Sequence, residues 1–491
     1  MLSIQKKLTN SFYAILSLPS TAMGFALSIQ ISALSWILST KYGLKIDDVG
    51  LVWAAGPIAG ILGQVIVGIV SDNVWIWKGR RRPFIFIGGF LAALMLLALP
   101  NIDVISSSLG FHGILGVAIA VALTLDLAIN VSFNPTRSII ADVTPEGVER
   151  TKGYAWMQTI SGTFGVLAYV IGAVWNNYVL IYIGVGLVLV LSVIPPFFIE
   201  EPRELELKNT DNVNVPKQKT SLMSILNDIQ PLWGFLIYAL YAIIIKLLQI
   251  KLNNYYVEII CFAVTLYFIF KVLAKSDVGK SKAEAGLIGF KKVLAAHSFT
   301  WIGIQTMFIY MFAYVQYKVY DIAPGVAIPS SVQIEMGRIV SISFLILNAV
   351  GAILPAFILE PITRKIGRVK THAFCITSMA LGYAGMLFFG FHPIIIYILM
   401  AVLGIGWAAT ISLPFAIMSQ KVDQAKMGLY MGLFNLAVVL PQLVASFGVG
   451  QAVSEAPNKS LIFIISTVTL AISAVLWFFV KEDKSEVLKN V

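Results

Sequence analysis

Long apolar runs alternate with short polar breaks from one end of the chain to the other. A helix needs about 20 predominantly apolar residues to cross the hydrocarbon of a bilayer, and there it satisfies its own backbone hydrogen bonds where no water can. Fourteen runs come near that length: 12–38, 49–70, 84–100, 112–134, 154–175, 179–199, 230–248, 255–273, 295–317, 336–359, 371–390, 393–418, 428–451 and 460–480. The polar break from Glu200 to Asp228 is of mixed charge and contains Glu201-Pro202-Arg203-Glu204 and Pro216-Lys217-Gln218-Lys219. It reads as a cytoplasmic connection between two halves.

Composition agrees with lipid as the solvent. At 58% hydrophobic and 12% charged, the chain has too little polar surface to cover a soluble globule. A net charge of +10 would suggest a nucleic-acid partner in a soluble protein. Here the distribution of the charges explains it instead. With both termini in the cytoplasm, most Lys and Arg fall on the cytoplasmic side, among them Lys6, Lys7, Lys78, Arg80 to Arg82, Lys217, Lys219, Lys291, Lys292, Arg364, Lys365, Arg368 and Lys370. Outer loops hold Lys41, Lys45, Lys251, Lys318 and Lys459, with Lys246 near a helix end and Arg137 and Arg338 inside spans. The positive-inside rule therefore predicts a multi-pass protein of the cell membrane with both termini inside and no nucleic-acid partner.

The first run is too long for a signal-peptide core and lacks a small-residue cleavage site, so it is expected to be a retained helix. Cys261 and Cys375 lie in apolar segments and read as small buried side chains rather than a disulfide or metal framework. His112, His297, His372 and His392 sit at span ends without metal-ligand spacing, which predicts surface roles and no metal site. No Gly-x-x-x-x-Gly-Lys-Ser/Thr sequence occurs, so neither ATP-driven pumping nor a cofactor is expected. An enzyme acting on lipid-linked substrates would need an acid, base or metal cluster at the membrane surface, and the sequence shows none.

The chain is built twice. One loop carries Gly68, Ser71-Asp72 and Lys78-Gly79-Arg80-Arg81-Arg82-Pro83; another carries Glu360-Pro361 and Arg364-Lys365-Ile366-Gly367-Arg368. In each, an acid precedes a Gly-Arg pair by seven residues, an internal repeat expected of a transporter made of two six-helix halves. The two runs between 230 and 273 form a pair, which returns the chain to the same side. The predicted architecture is an all-α membrane protein of six plus two plus six spans: a first half over 1–199, a linker with an inserted pair over 200–290, and a second half over 291–491.

Candidate chemistry starts in the fourth run, where Asp126 is followed eleven residues later by Arg137. Ionisable residues inside a membrane are costly and mark substrate or proton pathways. Eleven residues advance a helix by about 1100 degrees, about 20 degrees off whole turns, and by about 16 Å, so Asp126, Asn130 and Arg137 are expected to share a face lining a cavity. Pro135 introduces a bend that can rotate Arg137 from this ideal. Asp126 is the expected proton carrier; a structural ion pair is the alternative for the same two residues.

These residues resemble the plant sucrose-proton symporters and their bacterial and animal relatives within the major facilitator superfamily. Four regions carry the resemblance: Gly56-Pro57-Ile58-Ala59-Gly60 with Gly68, Ser71-Asp72 and Gly79-Arg80-Arg81-Arg82-Pro83-Phe84; Leu125-Asp126-Leu127-Ala128 through Pro135, Arg137 and Ala141-Asp142; Asn348 with Glu360-Pro361 and Arg364-Lys365; and Gly428 through Gly432-Leu433-Phe434-Asn435 to Pro441-Gln442-Leu443. It spans about 12–199 and 290–480. The resemblance implies a major facilitator fold and a pairing of Asp126 with Arg137, the arginine serving sugar binding or charge balance. The chain departs from the family in two places. The stretch Phe312-Ala313-Tyr314-Val315-Gln316-Tyr317 is uncharged where the family often has an acid, and the inserted pair is absent from the usual twelve-helix plan.

A neutral sugar needs amide donors and acceptors together with aromatic platforms. Gln30, Asn130, Trp156, Gln158, Trp301, Gln305, Asn348, Asn435 and Gln442 are the candidates, each Trp having packing or an interfacial belt as its plainer role. Asp72, Arg80, Arg81, Glu360, Arg364 and Arg368 are expected to form a cytoplasmic gate, with simple topology determinants as the alternative. Glu335 and Arg338, three residues apart, read either as site charges or as an outer-surface salt bridge. The predicted function is a monomeric proton-coupled symporter importing a neutral sugar, most simply a disaccharide such as sucrose or maltose, by alternating access. A facilitator-fold proton antiporter exporting small molecules, or a non-transporting sugar sensor, would share much of this pattern.

Overall fold

The computed structural model describes residues 3–61, 75–110, 113–145, 148–202, 222–248, 250, 254–323, 326–423 and 427–482. Its long helices are α1 (Asn10–Thr40), α2 (Ile46–Trp53, resuming over 55–61), α3 (Arg82–Ala98), α4 (Ile114–Val143), α5 (Val148–Val174), α6 (Asn177–Val193) and α7 (Trp233–Leu247). They continue with α8 (Tyr256–Leu273), α9 (Lys282–Tyr314), α10 (Ser330–Leu354), α11 (Arg368–Phe389), α12 (Pro393–Ser419), α13 (Met427–Val444) and α14 (Leu461–Phe478). Among the described residues the one β-type pairing is the isolated bridge between Ile76 and Gly79.

Twelve described helices are long and apolar enough to cross a membrane, so the expected fourteen is not reached by that measure. The apolar segment Gln230–Lys246, which includes the 3-10 turn Gln230–Leu232 before α7, is shorter, and the run expected at 49–70 passes outside the described residues at 62.

Local chemistry fixes several helix starts. The Thr9 hydroxyl accepts from the Phe12 N–H at 3.3 Å, and Asn176 Oδ1 accepts from the Val179 N–H at 2.9 Å. Ser281 and Glu284 form a reciprocal capping box that starts α9 well before the apolar run. As a result Lys291 and Lys292 are not loop charges but lie inside α9, buried, with Lys291 Nζ 3.8 Å from Asp228 Oδ1. α9, α10 and α13 each continue into a π-helical turn, at Val315–Val319, Pro355–Leu359 and Ala445–Val449. Widened turns free carbonyls, and the Tyr310 hydroxyl donates to those of Ala445 and Ser446 at 3.0 and 3.2 Å.

The chain divides into two compact units. One comprises Met1–Gln218 and Pro324–Leu345, the other Lys219–Ala323 and Ile346–Val491. In the first, α1 packs against α5 and α6, and α3 against α4 and α6. In the second, α9 packs against α13 and α14, and α11 against α12 and α14. The same four pairings recur at the matching helices of the repeat. The start of α10 belongs to the first unit, where Ser341 Oγ lies 2.8 Å from Ser32 Oγ and donates to Asn177 Oδ1 at 3.1 Å.

The inserted helices α7 and α8 group with the second unit. They meet through Gly234, where a Cβ would stand 2.0 Å from Thr265 Oγ1, and through Trp233 on Phe268 at 4.8 Å. Phe235 reaches Phe299 of α9 at 6.0 Å, and α7 also packs on α13.

Candidate transport site

Asp126 lies midway along α4 and is 4% exposed. Its Oδ2 accepts a hydrogen bond from Gln30 Nε2 of α1 at 3.0 Å; Gln30 itself is 3% exposed. The resumed part of α2 approaches the same carboxylate through a residue with no side chain, since a Cβ on Gly56 would stand 3.4 Å from that oxygen. One turn on, Asn130 Nδ2 donates at 2.8 Å to the Asp126 backbone carbonyl, so the amide is anchored beside the acid. Among the described residues no basic side chain pairs with Asp126. A carboxyl group held in a mostly apolar wall by one neutral donor is suited to taking up and releasing a proton.

Arg137 lies elsewhere. Its side chain is exposed, with the guanidinium over the Phe133 ring at 4.7 Å, and among the described residues it forms no ion pair. The implied pairing with Asp126 is absent for a geometric reason: sharing a helical face still leaves about 16 Å of axial separation, beyond side-chain reach.

In the second unit a cluster of amides and indoles assembles from four helices. Gln442 Nε2 of α13 donates to Gln305 Oε1 of α9 at 3.1 Å, and Trp407 Nε1 of α12 donates to Asn348 Oδ1 of α10 at 3.3 Å. Trp301 stands edge-on to Trp407, centroids 6.3 Å apart and planes at 83°. Gly351 makes room, because a Cβ there would lie 2.7 Å from the Trp407 ring. Asn435 is half-buried on α13, while on α5 Trp156 is half-buried and Gln158 exposed; no described contact joins these three to either group.

The basic loops reveal a shared device. Glu201, beyond α6, accepts from the backbone N–H groups of Arg80 and Arg81 with Oε2 and of Arg82 with Oε1, all at 2.8 Å. Glu482, beyond α14, accepts from the N–H groups of Arg368 and Val369 at 2.8 and 2.9 Å. A helix start presents unpaired N–H groups and a positive dipole end, so each carboxylate caps a helix of the repeat. The repeat glycines permit the approach: a Cβ on Gly79 or Gly367 would stand 2.6 or 2.5 Å from the respective carboxylate, and Gly367 also has φ +90°. Arg81 is buried and its Nε donates to Asp142 Oδ2 at 3.0 Å. Arg80 and Arg368 are half-buried and Arg364 exposed. Asp72 and the Glu360 side chain lie outside the described residues.

The sequence model of the Major Facilitator Superfamily matches residues 16–446. The chain belongs to that superfamily. A sucrose transport protein of Arabidopsis thaliana is 22% identical over 486 residues, covering 89% of this chain and 83% of that one. A general alpha-glucoside permease of Schizosaccharomyces pombe is 29% identical over 174 residues, 32% of this chain and 31% of its own. Among solved structures, an auto-inhibited POT family peptide transporter superposes with TM-score 0.64 at 11% identity, over 97% of this chain and 98% of that one. That last likeness is one of fold.

Within this facilitator, sequence reasoning missed several residues. Trp407 and Glu482 were not singled out, and Glu201 read only as linker charge. Two of the four histidines are corrected: His297 and His372 are 2% and 0% exposed, not surface residues, because their helices carry them among aromatic rings. His297 stacks on Phe434 at 4.7 Å and His372 meets Trp477 edge-on at 4.3 Å. His392 is exposed, and its Nδ1 accepts from the Ile394 N–H at 3.3 Å, while His112 lies outside the described residues. Glu335 and Arg338 are both exposed and form no described ion pair with each other.

Proposed function

We propose that this chain is a proton-coupled symporter that imports a neutral sugar, most simply a disaccharide such as sucrose or maltose, by alternating access. One observation carries the reading: a buried membrane carboxylate, Asp126, is held by a neutral amide and not by a counter-charge. A structural ion pair would have a partner; a carrier must accept and release its proton. The amide and indole cluster of Gln305, Gln442, Asn348, Trp301 and Trp407 supports a polyhydroxylated, uncharged substrate, since it offers hydrogen bonds and ring faces without a fixed charge. The sucrose and alpha-glucoside relatives point the same way.

Arg137 serves in this scheme as an exposed cation beside the pathway rather than as the resting partner of Asp126. Arg80, Arg81, Arg364 and Arg368, with Asp72 and Glu360, form the proposed cytoplasmic gate, and both termini are cytoplasmic. The transport core is the two six-helix halves, with α7 and α8 accessory to it and the monomer as the working form. Uptake of a panel of labelled disaccharides into vesicles, with and without an imposed pH gradient, tests the reading. Gradient-stimulated accumulation of a disaccharide is expected; no uptake of any sugar in the panel would overturn it.

A further inference from the structure

We infer that His297 is a positioning residue for sugar binding, acting through Trp301. The inference rests on the proposed sugar site and adds to it a residue that touches no ligand. His297 and Trp301 lie one turn apart on α9, and the indole Nε1–H donates to His297 Nε2 at 2.9 Å. The imidazole is pinned from other helices, stacked on Phe434 of α13 at 4.7 Å and 15° and edge-on to Trp477 of α14 at 6.4 Å and 79°. A buried ring held on two sides fixes the direction of its nitrogen, and that nitrogen fixes the indole.

A chemical consequence follows for the ligand. The N–H of Trp301 is spent on His297 and that of Trp407 on Asn348, so both indoles already use their one donor. The two perpendicular rings then offer faces and edges to the C–H surface of a sugar, while hydroxyl recognition falls to Gln305, Gln442 and Asn348. Without its acceptor, the Trp301 N–H would be left to seek a new partner, and the plane of the platform would no longer be set.

His297→Phe keeps an aromatic ring against Phe434 but cannot accept the indole proton. The expected result is an apparent KM for the transported disaccharide raised by about five- to tenfold at near wild-type Vmax, the size of one lost hydrogen bond to a buried group. His297→Gln, which retains an acceptor, should recover part of that affinity. In a Trp301→Phe background, which has no indole N–H to hold, His297→Phe should cause no further change. An unchanged KM in His297→Phe, or an equally large effect in the Trp301→Phe background, would overturn the assignment. Should His297→Phe fail to reach the membrane, Trp301→Phe alone decides, since it must raise KM and an unaltered value sinks the proposal. Wild-type protein measured first separates the two levels: no sugar uptake at all removes the sugar reading and this inference with it, whereas normal wild-type uptake with a flat mutant series removes only the role of His297.

Discussion

Arg137 and Glu201 show how differently two charges can be placed in one fold. The Arg137 guanidinium lies over the Phe133 ring, 4.7 Å from its centroid, and a guanidinium is a planar, weakly hydrated cation suited to a ring face in a way a lysine ammonium is not. Arg137→Lys should therefore lower sugar uptake by about threefold or more, with protein abundance unchanged, as initial rates in vesicles would reveal; an unaltered rate reduces Arg137 to a generic positive charge. Glu201 instead closes three backbone N–H groups with two oxygens. Glu201→Gln replaces one of those oxygens by a donor and should cost about 1–3 kcal/mol, read as a lower unfolding temperature in detergent; Glu482→Gln should do the same in the second unit. Asp126 was legible in the sequence because a carboxylate in an apolar run is rare and expensive. Glu201 was not, because its partners are backbone groups some 120 residues away, and side-chain patterns carry no trace of them. His297 was hidden for a related reason: its i, i+4 spacing to Trp301 is visible, but the rings that bury it come from other helices.

Helix positions followed closely from apolar runs, while helix starts did not. α9 begins at Lys282 rather than near 295, and the lysines and glutamate of its first turns mask the start from hydropathy. The Ser281 to Glu284 capping box was nonetheless in the sequence and would have located it. The inserted pair was legible as two apolar runs, but its attachment was not. It is fixed by the buried Asp228 and Lys291 pair and by Phe235 against Phe299, while Gly234 against Thr265 holds the two inserted helices to each other. Replacing Gly234 with Val would drive a side chain into Thr265 and should lower the yield of folded protein, measured by size-exclusion profile, without altering which sugars are taken up. Joining Asp228 through a short linker to the segment before Lys291 removes the pair altogether. Whatever deletion protein still inserts should keep the substrate preference of the full chain, and a changed preference would place α7 and α8 in the site.

At the scale of the molecule, the repeat read from two basic loops reappears as four recurring helix pairings and two carboxylate caps. The repeat was legible because Gly79 and Gly367 sit at matching places, each where a carboxylate comes too close for a side chain. The count of spans was less so, since an apolar run near 20 residues does not fix the length of its helix: the run at 230–248 holds only the shorter segment Gln230–Lys246, and the run at 49–70 passes outside the described residues at 62. The central claim remains that sugar and proton move together through Asp126. The direct measurement is alkalinisation of the medium when the transported disaccharide is added to vesicles containing wild-type protein or Asp126→Asn, alongside sugar exchange at equal concentrations on both sides. Wild-type protein should take up protons with sugar, and Asp126→Asn should still exchange sugar while moving no protons and accumulating none uphill. Sugar uptake by the wild type without proton movement, or undiminished proton uptake and uphill accumulation in Asp126→Asn, would contradict it.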